Sequence, residues 1–313
     1  ARGWRRIVAM LRHGLLWAAV KLGLVSSRIF APREELSPTQ PFSSLPPLAP
    51  LTFTPAEVFG KDAAEKQYCQ ETLRTLVNEG IYTPVSEKNT LLYPGSVGGV
   101  NWGSPALDPL TGILYANTNR LAYITRLVRR PETRTLWNRL ADAWGRWTAK
   151  MRPSAAGAAR RFGTPDTAGQ ELSAQAGAPY LIFRAPFLSP SGLPCTPQPW
   201  GEMVALDLNS GKKLWAQPLG TMLTGAATGS PSLGGPIVTA SGVIFSAATV
   251  ESLLRAYDRR TGKELWRGEL PGPAQATPMT FMLDGKQYVV ICAGGHGSVG
   301  TEQGDAVVAF ALD

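Results

Sequence analysis

The sequence predicts an all-β chain, a partial β-propeller of about three four-stranded blades, joined to a helical N-terminal segment and a helical insert. Three observations carry this. Val204 to Trp215, "VALDLNSGKKLW", and Leu254 to Trp266, "LRAYDRRTGKELW", share A-x-D-x-x-x-G-K-x-L-W, and Ala205 and Ala256 lie 51 residues apart. A terminal copy, "VVAFALD", places Ala309 a further 53 residues on. Upstream of each copy lies a hairpin pattern, with apolar residues in period two about Gly112, Gly242 or Gly285. A hairpin, a strand ending in Asp, a D-x-x-x-G turn and a strand ending in Trp form one blade, and blades repeat at this period. A β-sandwich with chance similarity is the weaker alternative, because both units recur three times in step.

The elements follow in order. Residues 1–35 form a basic, amphipathic opening whose apolar run is broken by Arg12, His13 and Lys21, too short to span a membrane. A surface-lying helix and a segment foreign to the downstream fold are both open readings. The first residue is Ala, which leads us to expect a processed or incomplete chain. Residues 36–95 begin with a Pro-rich stretch, Leu36 to Pro55, expected to be extended. One or two short helices follow, closed by Gly80 as C-cap, and lead into the propeller. Residues 96–313 are the partial propeller, carrying an insert at 120–180.

Within the insert, Leu136, Leu140, Trp144, Trp147 and Met151 make one apolar face between Pro131 and Pro153, flanked by Arg139, Arg146 and Lys150. Such a helix suits a membrane interface and equally a packed position on the propeller rim. The stretch after it, to Pro179, reads as a flexible loop.

Composition agrees with a turn-rich β chain. Gly and Pro number 33 and 26 of 313 residues, and 44% of the chain is hydrophobic. Eleven Arg and Lys against two acids lie between Arg120 and Arg161, which accounts for the net charge of +8 and argues against a nucleic-acid partner. With two His and three Cys and no ligand spacing among them, the sequence argues against a structural zinc site. At least one thiol is unpaired, and whether Cys69 meets Cys195 stays open.

"GHGSVG" at Gly295 to Gly300 matches G-x-G-x-x-G after an apolar run. A dinucleotide loop needs a helix opening at its third glycine and a carboxylate about 20 residues on. Here a turn and one strand follow, so these glycines are expected to join two strands of the last blade. His296 within them is expected to be an ordinary loop residue rather than a pH-sensitive catalytic group.

Three long stretches, "EGIYTPVSEKNTLLYPGSVGGVNWGSPALDPLTGILYANTNRLA", "FLSPSGLPCTPQPWGEMVALDL" and "LPGPAQATPMTFMLDGKQYVVICAGGHGSVGTEQGDAVVAFAL", resemble the C-terminal part of membrane-bound quinoprotein glucose dehydrogenases, grouped with quinate/shikimate and polyol dehydrogenases. The likeness runs from Leu36 to Asp313. It implies a parent eight-bladed propeller that binds pyrroloquinoline quinone (PQQ) with Ca²⁺ or Mg²⁺. It further implies a periplasmic, membrane-associated enzyme that oxidises a sugar or polyol and reduces ubiquinone. It assigns Asn117, in "ILYANTN", to the cofactor. Asn101, Trp102, Leu233 and Gly234 are weaker candidates, since a Trp there could equally be core and a glycine hairpin start equally explains "SLGGP".

The family's aspartate base, cofactor-contacting lysine and metal ligands lie upstream of Ser37 to Phe42, and Ser96 replaces a common Asn. The resemblance therefore implies that the chain alone does not turn over sugar, as a truncated product or a relic. A non-catalytic propeller scaffold that binds protein partners is the alternative.

Overall fold

A computed structural model describes residues 43, 45–129, 170–174 and 178–311. The chain divides into two compact units, 1–44 and 45–313, and the second carries the blades. The opening segment 1–35 and the apolar-faced insert 131–153 lie outside the described residues.

Helix α1 (Ala63–Thr75) starts where Asp62 accepts the Glu65 amide, the expected cap for an exposed first turn. It is the one α-helix among the described residues of this stretch, and it ends earlier than the sequence suggests, at Leu76. Val77 leaves the helix because its amide donates to Asn89 and its carbonyl accepts from Leu91. Gly80 does take a left-handed φ of 102°, but in the turn beyond.

Three blades follow. Blade I comprises β2 (Ala106–Asp108), β3 (Ile113–Asn119), β7 (Gly201–Asp207) and β8 (Lys212–Pro218), antiparallel in that order. Blade II comprises β9 (Ile237–Val238), β10 (Val243–Ser246), β11 (Leu253–Asp258) and β12 (Glu264–Glu269). Blade III has three described strands rather than the expected four: β13 (Met279–Leu283), β14 (Lys286–Ala293) and β15 (Ala306–Ala311). Each leading hairpin turns on its glycine, with φ of 71° at Gly112, 91° at Gly242 and 76° at Gly285.

The D-x-x-x-G turns join β7 to β8 and β11 to β12. Asp207 and Asp258 each accept backbone amides of their own turn, while Gly211 and Gly262 donate back to the aspartate carbonyls at 2.8 Å. The repeat tryptophans dock on the next blade. Trp215 Nε1 donates to Arg259 O at 3.1 Å, and its ring lies so close to Gly262 that a Cβ there would stand 2.7 Å away. Trp266 meets Phe310 edge-on at 5.3 Å.

A fourth sheet, ordered β1 (Thr90–Leu92), β4 (Tyr123–Arg129), β6 (Tyr180–Pro186) and β5 (Glu171–Ala174), comes largely from the insert. Glu171–Ala174 falls in the stretch expected to be a flexible loop, and the structure corrects this. The segment has little β propensity of its own and is a strand because β6, fixed by seven pairs to β4, offers it a free edge.

Cys69 of α1 is disulfide-bonded to Cys195, which lies after β6, across 126 residues. Both are buried in a cluster with Phe53, Tyr93 and Phe187. Closing a loop of that length removes up to about 5 kcal/mol of chain entropy from the unfolded state. Cys292 is the free, exposed thiol.

Gly295 to Gly300 join β14 to β15 through a short 3-10 turn (Gly297–Val299), as the absence of a following helix led us to expect. Gly295 is needed for close approach, since a Cβ would meet Glu302 O at 1.7 Å. His296 donates its amide to Thr301 Oγ1 within the same loop.

Candidate functional site

Strand β3 alternates, so Ile113, Tyr115, Asn117 and Asn119 share the face toward blade II. The first two are apolar packing, with Tyr115 fully buried among Met203, Ile244 and Tyr257. The last two carry amides into the same seam. Asn117 is 4% exposed, and its Nδ2 donates to Gly234 O at 3.0 Å and to Ser246 Oγ at 3.1 Å. Asn119, two residues on, donates to Ser232 O at 2.6 Å and accepts from Ser232 N at 2.8 Å. Its amide thus replaces a missing ladder partner for the strap Ser232–Gly235.

The strap is where the segments leading into the three blades meet. Gly103 pairs with Gly234 in a parallel bridge, and Gly103 N donates to Leu233 O. Gln275, just before β13, accepts the Leu233 amide at 2.9 Å and donates to Thr249 O at 2.8 Å. Thr277 Oγ1 accepts from Gly235 N and donates to Gly103 O. Only glycine fits these crossings: a Cβ on Gly235 would stand 2.1 Å from Gly103 O, and one on Gly234 2.6 Å from Ala276 O.

Of the five candidates, Asn117 and Gly234 are in direct contact and Leu233 is buried beside them. Trp102, adjoining the bridging Gly103, is 68% exposed and therefore not a core residue. Asn101 uses its amide locally: Nδ2 donates to Val97 O, and Oδ1 accepts from Trp102 N. Ser104, two residues after Trp102, holds a left-handed φ of 65°, and such backbone strain persists where surrounding contacts over-determine it.

Asn119, Ser246, Gln275 and Thr277 were not foreseen. Period two from Asn117 pointed to Asn119; the other three carry no local signal.

Two charges complete the seam. Arg259 Nη1 stands 2.6 Å from Asp108 Oδ2, joining blade II to blade I. The Asp108 carboxyl is held below its ordinary value, first by the Thr111 hydroxyl, then by the Leu110 amide and the Arg259 charge, against the opposing effect of burial. Burial pushes the Tyr257 hydroxyl up, so it stays neutral.

The arrangement leaves two polar atoms over, the Tyr115 hydroxyl and Asn117 Oδ1. Asn117 Oδ1 is buried and accepts no hydrogen bond, which costs free energy unless something fills the place. A buried amide oxygen beside a glycine strap, with an exposed indole nearby, suits a flat polar cofactor rather than an aliphatic ligand. No group of three or more His, Cys, Asp or Glu able to hold a metal ion occurs among the described residues, so the site offers no metal-ligand set there.

Antiparallel blades docked through tryptophans, with buried amides where their leading segments meet, define a β-propeller. The chain belongs to the family of PQQ-dependent glucose/ethanol/alcohol dehydrogenase β-propeller domains, whose family model matches residues 24–289. It is 38% identical over 287 residues to the quinoprotein glucose dehydrogenase of Escherichia coli (strain K12), covering 88% of this chain and 33% of that protein. It is 34% identical over 295 residues to the quinate/shikimate dehydrogenase (quinone) of Acinetobacter baylyi, covering 90% of this chain and 34% of that one. Among solved structures, quinohemoprotein alcohol dehydrogenase from Comamonas testosteroni matches 72% of this chain and 27% of its own, at 20% identity and a TM-score of 0.43. The chain thus spans about a third of the length of the curated relatives it matches.

Proposed function

We propose that this chain forms the C-terminal blades of a periplasmic, membrane-associated PQQ-dependent dehydrogenase that oxidises a sugar or polyol and passes electrons to ubiquinone. The observation that carries the proposal is the unpartnered, buried Asn117 Oδ1 beside the glycine strap. Family membership supplies the cofactor class, and the relatives named for glucose and quinate/shikimate supply the substrate class. The Cys69–Cys195 disulfide favours an oxidising compartment.

Bound PQQ supplies a two-electron acceptor for oxidation of an alcohol carbon. The part of this chain is to hold it: Asn117 by its amide, Leu233 and Gly234 by a closely approaching backbone, Trp102 by its ring, with Asn101 fixing the Trp102 turn. The catalytic base and the Ca²⁺ or Mg²⁺ ligands are assigned to no residue here. The chain alone is expected to bind cofactor without turnover, and residues 131–153 are proposed to touch the membrane surface.

The test is a titration of the purified full chain with PQQ and Ca²⁺, following tryptophan fluorescence. Saturable quenching that weakens at least tenfold in Trp102→Ala supports the reading. Absence of any saturable binding overturns it. Adding glucose, quinate or glycerol with a soluble ubiquinone analogue then reads turnover directly.

A further inference from the structure

The two ends of the blades carry different surfaces. The strap Ser232–Gly235 and the loop Gly295–Gly300 lie at one end, beyond Asn119 and Ala293. At the other end lie the hairpin turns and the aspartate-to-glycine turns, because Ile113 pairs with Asp207 and Val243 with Asp258. Arg259 reaches across this end to Asp108, and Trp215 donates to Arg259 O, so the turns of blades I and II form one continuous surface.

The tips of that surface are apolar in blade I. Leu110, in the β2–β3 turn, is 84% exposed, more than any other large apolar side chain among the described residues. Leu208, in the β7–β8 turn, is 49% exposed and donates its amide to Gly112 O, which sets it beside the Leu110 turn. Leu45 is 53% exposed and lies against Gly211 of the same turn, where a Cβ would stand 2.6 Å from it. The turns do not require leucine, since blade II folds the same two turns with Ala240 and Arg259 in those places.

Around these leucines the charge that faces solvent has one sign. Lys212, Lys213, Arg260 and Lys263 are exposed. The aspartates of the same turns are engaged inward: Asp108 with Arg259, Asp207 with Asn209 N and Ser210 Oγ, and Asp258 with the Arg260 and Thr261 amides. Blade III adds Lys286 and Asp284, which cancel. At the strap end, the loop joining β14 to β15 exposes Glu302 and Asp305 instead.

We propose that this end of the blades rests on an anionic lipid bilayer, with Leu110 and Leu208 inserted among the headgroups and Lys212, Lys213, Arg260 and Lys263 on lipid phosphates. Apolar tips ringed by cations match the layered chemistry of a bilayer surface, apolar below and anionic above. A groove on a protein would take the leucines alone, whereas cations spread over two blades call for many negative charges in one plane. The proposal rests on the membrane association proposed above and adds the surface and the orientation. The strap end then faces the water, from which a sugar or polyol arrives.

The experiment mixes the full chain with vesicles of phosphatidylcholine, with and without about one-third phosphatidylglycerol, and reads binding by co-flotation. Binding is expected to the anionic vesicles and to weaken as salt screens the cations. Leu110→Glu combined with Leu208→Glu, at exposed positions the fold does not need, should weaken it at least tenfold, and Lys212→Glu combined with Lys213→Glu about tenfold. Orientation is read by a polarity-sensitive dye on a single cysteine in a Cys292→Ser background. The dye on Leu110→Cys is expected to shift to the blue on vesicles, and the dye on Gln303→Cys, exposed at the strap end, to stay in water. Vesicle binding without a shift at Leu110, or with the shift at Gln303 instead, overturns the inference while membrane contact through residues 131–153 stands. Equal binding to both kinds of vesicle overturns the anionic partner. No binding to either overturns both the surface and the membrane association.

Discussion

The seam between blades I and II and the seam between blades II and III are made from the same repeat, yet they are built differently. Between II and III, Ala247, Leu254, Leu270, Ala274, Val289, Ile291 and Ala293 form a buried apolar cluster, with Phe245 and Phe310 packed against it. Between I and II the apolar residues Tyr115, Met203, Ile244 and Tyr257 share the seam with Asn117, Asn119 and the Asp108–Arg259 pair. Buried polar groups contribute less than apolar packing of the same volume and are costly when unpaired. Buried polar side chains gather most densely at the seam where the candidate site lies, whereas between II and III Gln275 alone reaches Leu233 and Thr249. The apolar seam holds the blades together by packing, and the polar one adds side-chain hydrogen bonds to the strap Ser232–Gly235.

The comparison can be broken most sharply at the apolar seam. Leu254 is fully buried there, and Leu254→Ala should destabilise the chain by about 3 kcal/mol in denaturant unfolding while leaving PQQ binding unchanged. A smaller loss with weakened binding would show that the seams are not separable.

At the polar seam, Asn119→Ala leaves the buried Ser232 amide and carbonyl without their partner. The expected loss is about 2 kcal/mol, with PQQ affinity falling as well because the Gly234 strap loosens. Stability lost without any change in affinity would reduce Asn119 to a packing role.

The smallest effect is a pH dependence. Asp108 has a folded value below the ordinary 3.8, so its contribution is fully present above that value and disappears as pH falls through the folded one. Asp108→Asn should therefore be less stable than the unaltered chain at neutral pH, and the difference should close below pH 3.8. Melting temperatures measured from about pH 7 down to about pH 2 check this, and a gap that persists at the acid end would mean the carboxylate charge is not what joins the two blades.

What could be read from the residues, and what could not, divides along the distance over which each feature is determined. The hairpins, the aspartate-to-glycine turns and the docking tryptophans were legible because alternation, turn chemistry and the repeat are written within a few residues of one another. Asn117 stood out only because the strand that carries it resembles the family's. The short run Glu171–Ala174 gave no comparable sign. The helical pattern of α1 runs on toward Gly80, because the pairing of Val77 with residues near Thr90 leaves no trace in the helix itself.

Local order along the chain was thus enough for the fold class and for the strand that carries the candidate site. Folding alone decided that Cys69 meets Cys195, that Gln275 and Thr277 reach a strap 42 residues before them, and that Ser246 uses up an Asn117 hydrogen from 129 residues away. Those contacts depend on how neighbouring blades stack and on which backbone groups remain unpaired once they have stacked. No short window of sequence contains that information, because each partner is chosen by the position of the other.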